Sequence, residues 1–134
     1  MSLKWRDDFA VGVKEIDDQH KELFNRINSL LEAMTQGKGQ QVMDETFKFL
    51  QNYTRDHFRN EERLMTQYKY PEIDDHKSKH EAYTKQIKEM QSKVQAQQVS
   101  AAFTIEVQRF LTNWWTNHIN NVDKKLGKFL QEQK

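Results

Sequence analysis

Cysteine is absent from this chain, which rules out disulfides, thiolate metal sites and cysteine nucleophiles together. Any metal it carries must be held by nitrogen and oxygen. Proline occurs once and glycine four times, and with abundant lysine, glutamate and glutamine this suits packed amphipathic helices better than a sheet. An excess of one charge is missing too: 21 basic and 20 acidic residues leave a formal net charge of +1. Such a balance sets up no general field to attract nucleic acid or an anionic membrane, so neither partner is expected. No stretch approaches ~20 uninterrupted apolar residues, and the N-terminus lacks the apolar run and small-residue cleavage site of a signal peptide. No membrane insertion is expected, and the cytoplasm is the expected compartment. At 134 residues the chain suits one domain, residues 1–134, with one core.

Four segments repeat apolar or histidine side chains at helical spacing. The first, opened near Asp17 or Asp18 and stopped by Gly37-Lys38-Gly39, carries Ile16, His20, Leu23, Phe24, Ile27, Leu30, Leu31 and Met34. The second, roughly Gln40 to Tyr68, carries Met43, Phe47, Leu50, Tyr53, His57, Glu61, Leu64 and Met65. Pro71 fits an early position of the third, whose seam is Ile73, His76, His80, Tyr83, Ile87, Met90 and Val94. The fourth buries Phe103, Val107, Phe110, Leu111, Trp114 and His118, and Leu126, Phe129 and Leu130 mark a short terminal helix. Residues 1 to about 12 lack a sustained helical period and predict an arm whose Trp5 packs on the helices. Short connections predict an all-α, antiparallel up-down-up-down four-helix bundle with an N-terminal arm and a short C-terminal helix.

Within that frame, residues 57 to 80 stand out. His57 and Glu61 are four apart, as are His76 and His80, so each pair presents two metal-capable side chains in one direction on either side of the Tyr70-Pro71 turn. All five histidines fall on predicted core stripes. A single core histidine is more often hydrogen-bonded to a neighbour than bound to metal. Five of them with an inward glutamate are different, because burying that many unpaired polar groups costs a few kcal/mol each. A shared metal removes the cost for all. Glu62, rotated by about 100° from Glu61, should be solvated. Asp17, Asp18, Asp74 and Asp75 read as helix-start residues, Lys124, Lys125 and Lys128 as a solvated face, and Tyr53, Tyr83 and Met65 as plain core.

Asp123 alone reads as the cap of the terminal helix. It lies five residues after His118, which on a regular helix separates their directions by about 140°. If both face one site, the backbone must break or widen between them, and Asn120 and Asn121 would ease that.

The order of these groups, a lone His20, then HFRNE, then HKSKH, then HINNVD, resembles the hemerythrin family, and most of all its single-domain bacterial members. The resemblance runs from the arm with Trp5 through KEIDDQHKELF to WWTNHI. It implies a cofactor of two iron ions: His76, His80 and His118 on one, His20 and His57 on the other, with Glu61, Asp123 and an oxo or hydroxo group as bridges. The donor count then leaves one iron six-coordinate and the other five-coordinate. Dioxygen is the implied ligand of the open position, for storage, delivery or sensing, and a sensing role implies a separate protein partner. The implied protein is not an enzyme; a di-iron enzyme acting on peroxide, nitric oxide or dioxygen at the same position is the alternative.

Five imidazoles and two carboxylates also separate this pattern from ferritin-like di-iron sites with four glutamates. Leu23, Phe24, Leu64 and Trp114 are expected to pack around the site and slow water entry. The chain departs from the resemblance three residues before His118, where the family commonly has leucine and this sequence has Trp115. Leu23, Phe24, Trp114 and Trp115 are the expected ligand pocket, with Trp115 narrowing it or moving the access route.

Overall fold

Each of the four periodic segments is a helix in the computed structural model, which describes residues 3–37 and 40–133. They are α1 (Lys14–Thr35), α2 (Gln40–Gln67), α3 (Ile73–Gln95) and α4 (Ala101–His118), followed by a π-helical segment (Ile119–Asp123) and α5 (Lys124–Gln131). Consecutive helices run antiparallel. Gln51 pairs with Gln91 and His80 with Glu62, so positions rise along α3 as they fall along α2. Between α3 and α4, Lys93 lies over Phe103 and His76 beside His118, which is again the antiparallel order. The chain is thus an all-α four-helix bundle, and among the described residues no helix is long and apolar enough to cross a membrane.

The helix ends follow local chemistry. Ser100 caps α4 by accepting the Phe103 N–H at 3.0 Å. Gly37, with φ +62°, follows the end of α1, as its freedom in the left-handed region allows; the Lys38-Gly39 part of the predicted stop lies outside the described residues. Lys69 and Gln97 occupy the same region after α2 and α3, with φ 56° and 59°, although neither is glycine. Pro71 does not enter α3. The Tyr70 N–H bonds back to the Met65 carbonyl at 2.9 Å, which closes α2 with a wide turn and leaves Pro71 and Glu72 outside the helix that resumes at Ile73.

The arm is ordered by specific bonds. Leu3 exchanges two hydrogen bonds of 2.8 Å with the Asn28 side chain, and the Val11 N–H donates to Asp17 Oδ1 at 2.8 Å. Asp17 therefore anchors the arm as well as opening α1. Trp5 packs edge-on against Phe24, centroids 5.7 Å apart, as expected. Gly127 lets α5 close on the arm, since a Cβ there would stand 2.2 Å from the Val11 carbonyl oxygen.

Inside the bundle, Ile27, Leu30, Phe47, Leu50 and Val107 are completely buried, each worth ~1.5–3 kcal/mol by removal from water. Tyr53, Leu64, Phe110 and Trp114 are only half-buried, whereas Phe58 and Trp115 lie fully inside. The arc that four helices enclose is narrower than the stripe drawn from periodicity, and neighbouring positions exchange places at its edges.

Candidate metal centre

One end of the bundle interior is polar. His57 and Glu61 from α2, His76 and His80 from α3, His20 from α1, His118 from the end of α4 and Asp123 from the π-helical segment converge there, and none is more than 3% exposed. The widened turn resolves the five-residue spacing. Bonding from i to i+5 adds the residue needed to return Asp123 to the His118 face, with His118 Nε2 3.2 Å from Asp123 Oδ1. Asp123 is not the cap of α5: its backbone is helical, its side chain makes no cap bond, and both oxygens face the cluster.

Each carboxylate divides its oxygens between two sets of histidines. Glu61 Oε1 lies 3.2 Å from His80 Nε2 and 3.6 Å from His76 Nε2, while Oε2 lies 3.7 Å from His57 Nε2. Asp123 Oδ1 stands 3.1 Å from His76 Nε2 and 3.2 Å from His118 Nε2, and Oδ2 stands 3.0 Å from His20 Nε2. Two donor groups result: His76, His80 and His118 with Glu61 and Asp123, and His20 and His57 with the same two acids. Within each group one ligand atom per residue falls within 4.8 Å of all the others.

These approaches are close but poorly aligned for hydrogen bonding. All five Nε2 atoms and all four carboxylate oxygens are buried without a hydrogen-bond partner. A buried polar atom left so costs ~1–3 kcal/mol, and lone pairs converging on shared centres suit a cation better than one another. The donor set therefore fits two transition-metal ions sharing two carboxylates.

Without metal the cluster balances charge internally. Burial works to lower the His76 imidazole, but contact with Asp123 and Glu61 overrides it and raises His76 to about 9. His20 moves upward for the same reasons, with Asp123 the main partner opposing burial. Burial dominates at His57, which falls to about 4. Both acids are pulled down against their own burial, Glu61 by His57, His76 and His80 and Asp123 chiefly by His118.

Two partners behind the histidines were not legible beforehand. Glu62 is half-buried rather than solvated, its Oε2 3.0 Å from His80 Nδ1, and Gln19 Oε1 is 2.7 Å from His57 Nδ1. Each stands next to a candidate ligand in the chain, but only the facing of α2 on α3 and of α1 on α2 brings it behind a ring. Phe58, beside His57, stacks on His80 with centroids 3.7 Å apart.

The expected pocket residues split. Trp115 touches both groups, its ring centroid 6.3 Å from His20, 6.2 Å from His57 and 6.1 Å from His118. Leu23 and Phe24 are buried one turn beyond His20 on the same face of α1. Trp114 instead stacks on His118 at 4.3 Å, beside the three-histidine group, with its ring edge-on to Trp115 at 4.9 Å. Surface grooves of about 600, 270 and 200 Å³ reach His80, His118 and His76, so solvent comes close to the outer side of that group.

The chain is similar to known proteins over most of its length. The family model described as the hemerythrin HHE cation binding domain matches residues 11–130. A bacteriohemerythrin of Pseudomonas aeruginosa (strain LESB58) is 36% identical over 121 residues, 90% of this chain and 76% of that protein. One from Methylococcus capsulatus is 30% identical over 123 residues, 92% of each. A solved wild-type hemerythrin superposes with a TM-score of 0.84 at 30% identity, over 96% of this chain and 97% of that one.

Proposed function

This chain belongs to the hemerythrin family, and on that premise we propose that it is a non-haem di-iron protein that binds dioxygen reversibly, and is not an enzyme. The observation carrying the proposal is the division of carboxylate oxygens: Glu61 turns Oε1 to His76 and His80 and Oε2 to His57, and Asp123 turns Oδ1 to His76 and His118 and Oδ2 to His20. In this reading His76, His80 and His118 hold one ion, His20 and His57 hold the other, and the two acids with an oxo or hydroxo group bridge them. Three shared oxygens plus three or two imidazoles give six donors on one side and five on the other. Bound iron would supply the redox chemistry for taking up dioxygen, and His20 and His57, one histidine fewer than the opposite group, would leave the open position on their side.

The chain's own residues hold that position open and dry. Leu23, Phe24 and Trp115 are buried around the two-histidine side, where apolar walls exclude the water that would promote oxidation of the metal. Trp115→Leu is expected to speed ligand entry and autoxidation; unchanged rates would show that another wall limits access. No side chain is required as acid or base. The matched span supports reading residues 1–134 as one domain, and the balanced charge favours neither nucleic acid nor an anionic membrane as partner, while the cytoplasm is the proposed compartment. Storage, delivery and sensing all use the same binding step, and the last two need a protein partner.

Metal analysis with absorption spectroscopy tests the proposal. Two irons per chain and a visible band that appears in air and vanishes under argon are the expected result. Irreversible bleaching, or turnover of peroxide or nitric oxide well above that of free iron, would favour an enzyme at the same position.

A further inference from the structure

Behind the two donor groups stand different hydrogen-bond acceptors. In the three-histidine group, His80 Nδ1 lies 3.0 Å from Glu62 Oε2. A carboxylate accepts, so Nδ1 carries the hydrogen and the Nε2 lone pair points to Glu61 and the metal position. In the two-histidine group, the orientation of Gln19 follows from a relay. The Arg63 guanidinium has no acceptor and donates from Nη2 to Asn60 Oδ1 at 2.8 Å. The Asn60 amide nitrogen must then face Gln19 Oε1, which it does at 3.3 Å. Gln19 Oε1 is thereby left to accept the His57 Nδ1–H at 2.7 Å. His20 Nδ1 and His76 Nδ1 have no hydrogen-bond partner. A charged acceptor thus stands behind His80 of the three-histidine group, and a neutral one behind His57 of the other.

The difference acts on donor strength. A carboxylate behind a coordinating imidazole fixes its tautomer and raises its basicity, and such outer partners typically change metal affinity by about 10–100-fold. A charge-assisted hydrogen bond is also roughly twice as strong as a neutral one. Gln19 can orient His57 but adds no charge.

We propose that Glu62 and Gln19 are positioning residues that rank the two metal positions, so that the three-histidine position fills first and empties last while the two-histidine position exchanges more readily. The inference rests on the dinuclear reading of the site. It assigns a purpose to the half-buried Glu62 beyond solubility: it ensures that the ion away from the open position is the permanent one.

The test titrates metal-free protein with cobalt(II) chloride under nitrogen, following visible absorption and the paramagnetic shifts of the histidine ring signals, for the wild type, Glu62→Gln, Glu62→Ala and Gln19→Glu. In the wild type one equivalent is expected to shift His80 and leave His57 in place. Glu62→Gln should weaken the first binding step about 10–100-fold, and Gln19→Glu should strengthen the second and narrow the gap. Nitrogen-15 spectra of the metal-free protein supply a readout that a merely structural role would not move. Glu62→Gln, whose amide oxygen still accepts, should keep the His80 Nδ1–H tautomer, and Glu62→Ala should lose its preference. Circular dichroism identifies a variant that fails to fold, and the near-isosteric Glu62→Gln carries the test if Glu62→Ala does. Two ions bound with affinities and filling order unchanged across the variants would overturn the ranking alone. Fewer than two ions bound by the wild type would overturn the dinuclear reading and the ranking with it.

Discussion

At the end of the bundle formed by the α1–α2 and α3–α4 connections, the interior is filled by Leu30, Met34, Phe47, Met90, Val94, Phe103 and Val107. At the opposite end the same four helices continue the same stripes with five histidines and Glu61, and the π-helical segment adds Asp123. The helical repeat decides which positions are inside and is indifferent to what occupies them. The apolar end stabilises itself, at ~25 cal/mol per Å² of surface removed from water. The polar end leaves converging lone pairs without partners, and its burial becomes favourable when a cation takes them. The bundle is therefore a self-sufficient half carrying a dependent one.

Stripping the metal should break this contrast if it is wrong. Each ion held at 1,000 times its dissociation constant contributes ~4 kcal/mol, so chelation should lower the melting temperature by the equivalent of several kcal/mol. Identical melts of the iron-loaded and chelated protein would mean that the polar end needs no cation. A smaller but still large effect is expected from Leu30→Ala at the apolar end. It should remove ~2–5 kcal/mol, by the same amount with and without metal, as urea titrations of both forms would show. A loss that depended on metal would mean that the two ends are coupled.

The pH dependence of the metal-free protein sharpens the comparison from the polar side. His76, raised to about 9, contributes stability that is fully present below about 6.5 and is lost as pH rises through 9. His57, lowered to about 4, contributes stability that is present above about 6.5 and is lost as pH falls toward 4. Each contribution is on the order of 3 kcal/mol at most, and the urea midpoint should peak near neutrality and fall on both sides. A midpoint that climbs steadily across this range would contradict the internal charge balance. The smallest effect tests the apolar end once more. Gln97, beyond α3, is held at φ 59°, and Gln97→Gly should raise stability by ~1 kcal/mol whether or not metal is bound. No gain in a thermal melt would show that the turn carries no strain.

How much of this was readable beforehand depends on whether a feature is local. The helices, the burial of all five histidines and the need for a widened turn between His118 and Asp123 follow from spacing along the chain. The order of the candidate ligands carried the family resemblance for the same reason. Relations across helices were less legible. Glu62 was expected in water because a turn of about 100° from Glu61 leads outward on an isolated helix, yet α3 lies against that flank. Trp114 and Trp115 differ by one step, and periodicity placed Trp114 on the buried stripe and beside the open position. The rotation of α4 stacked it on His118, and it is the buried Trp115 that reaches His20 and His57 as well as His118.

The sequence by itself determined that four amphipathic helices bury five imidazoles and Glu61 at one end of their stripes, because a 3.6-residue repeat is a property of each segment alone. Only the tertiary structure decided which oxygen of each carboxylate meets which histidines, and that a carboxylate stands behind His80 and an amide behind His57. Those outcomes depend on how far each helix is rotated and shifted against its neighbours. Rotation and shift are set by side chains packing between segments far apart in the chain.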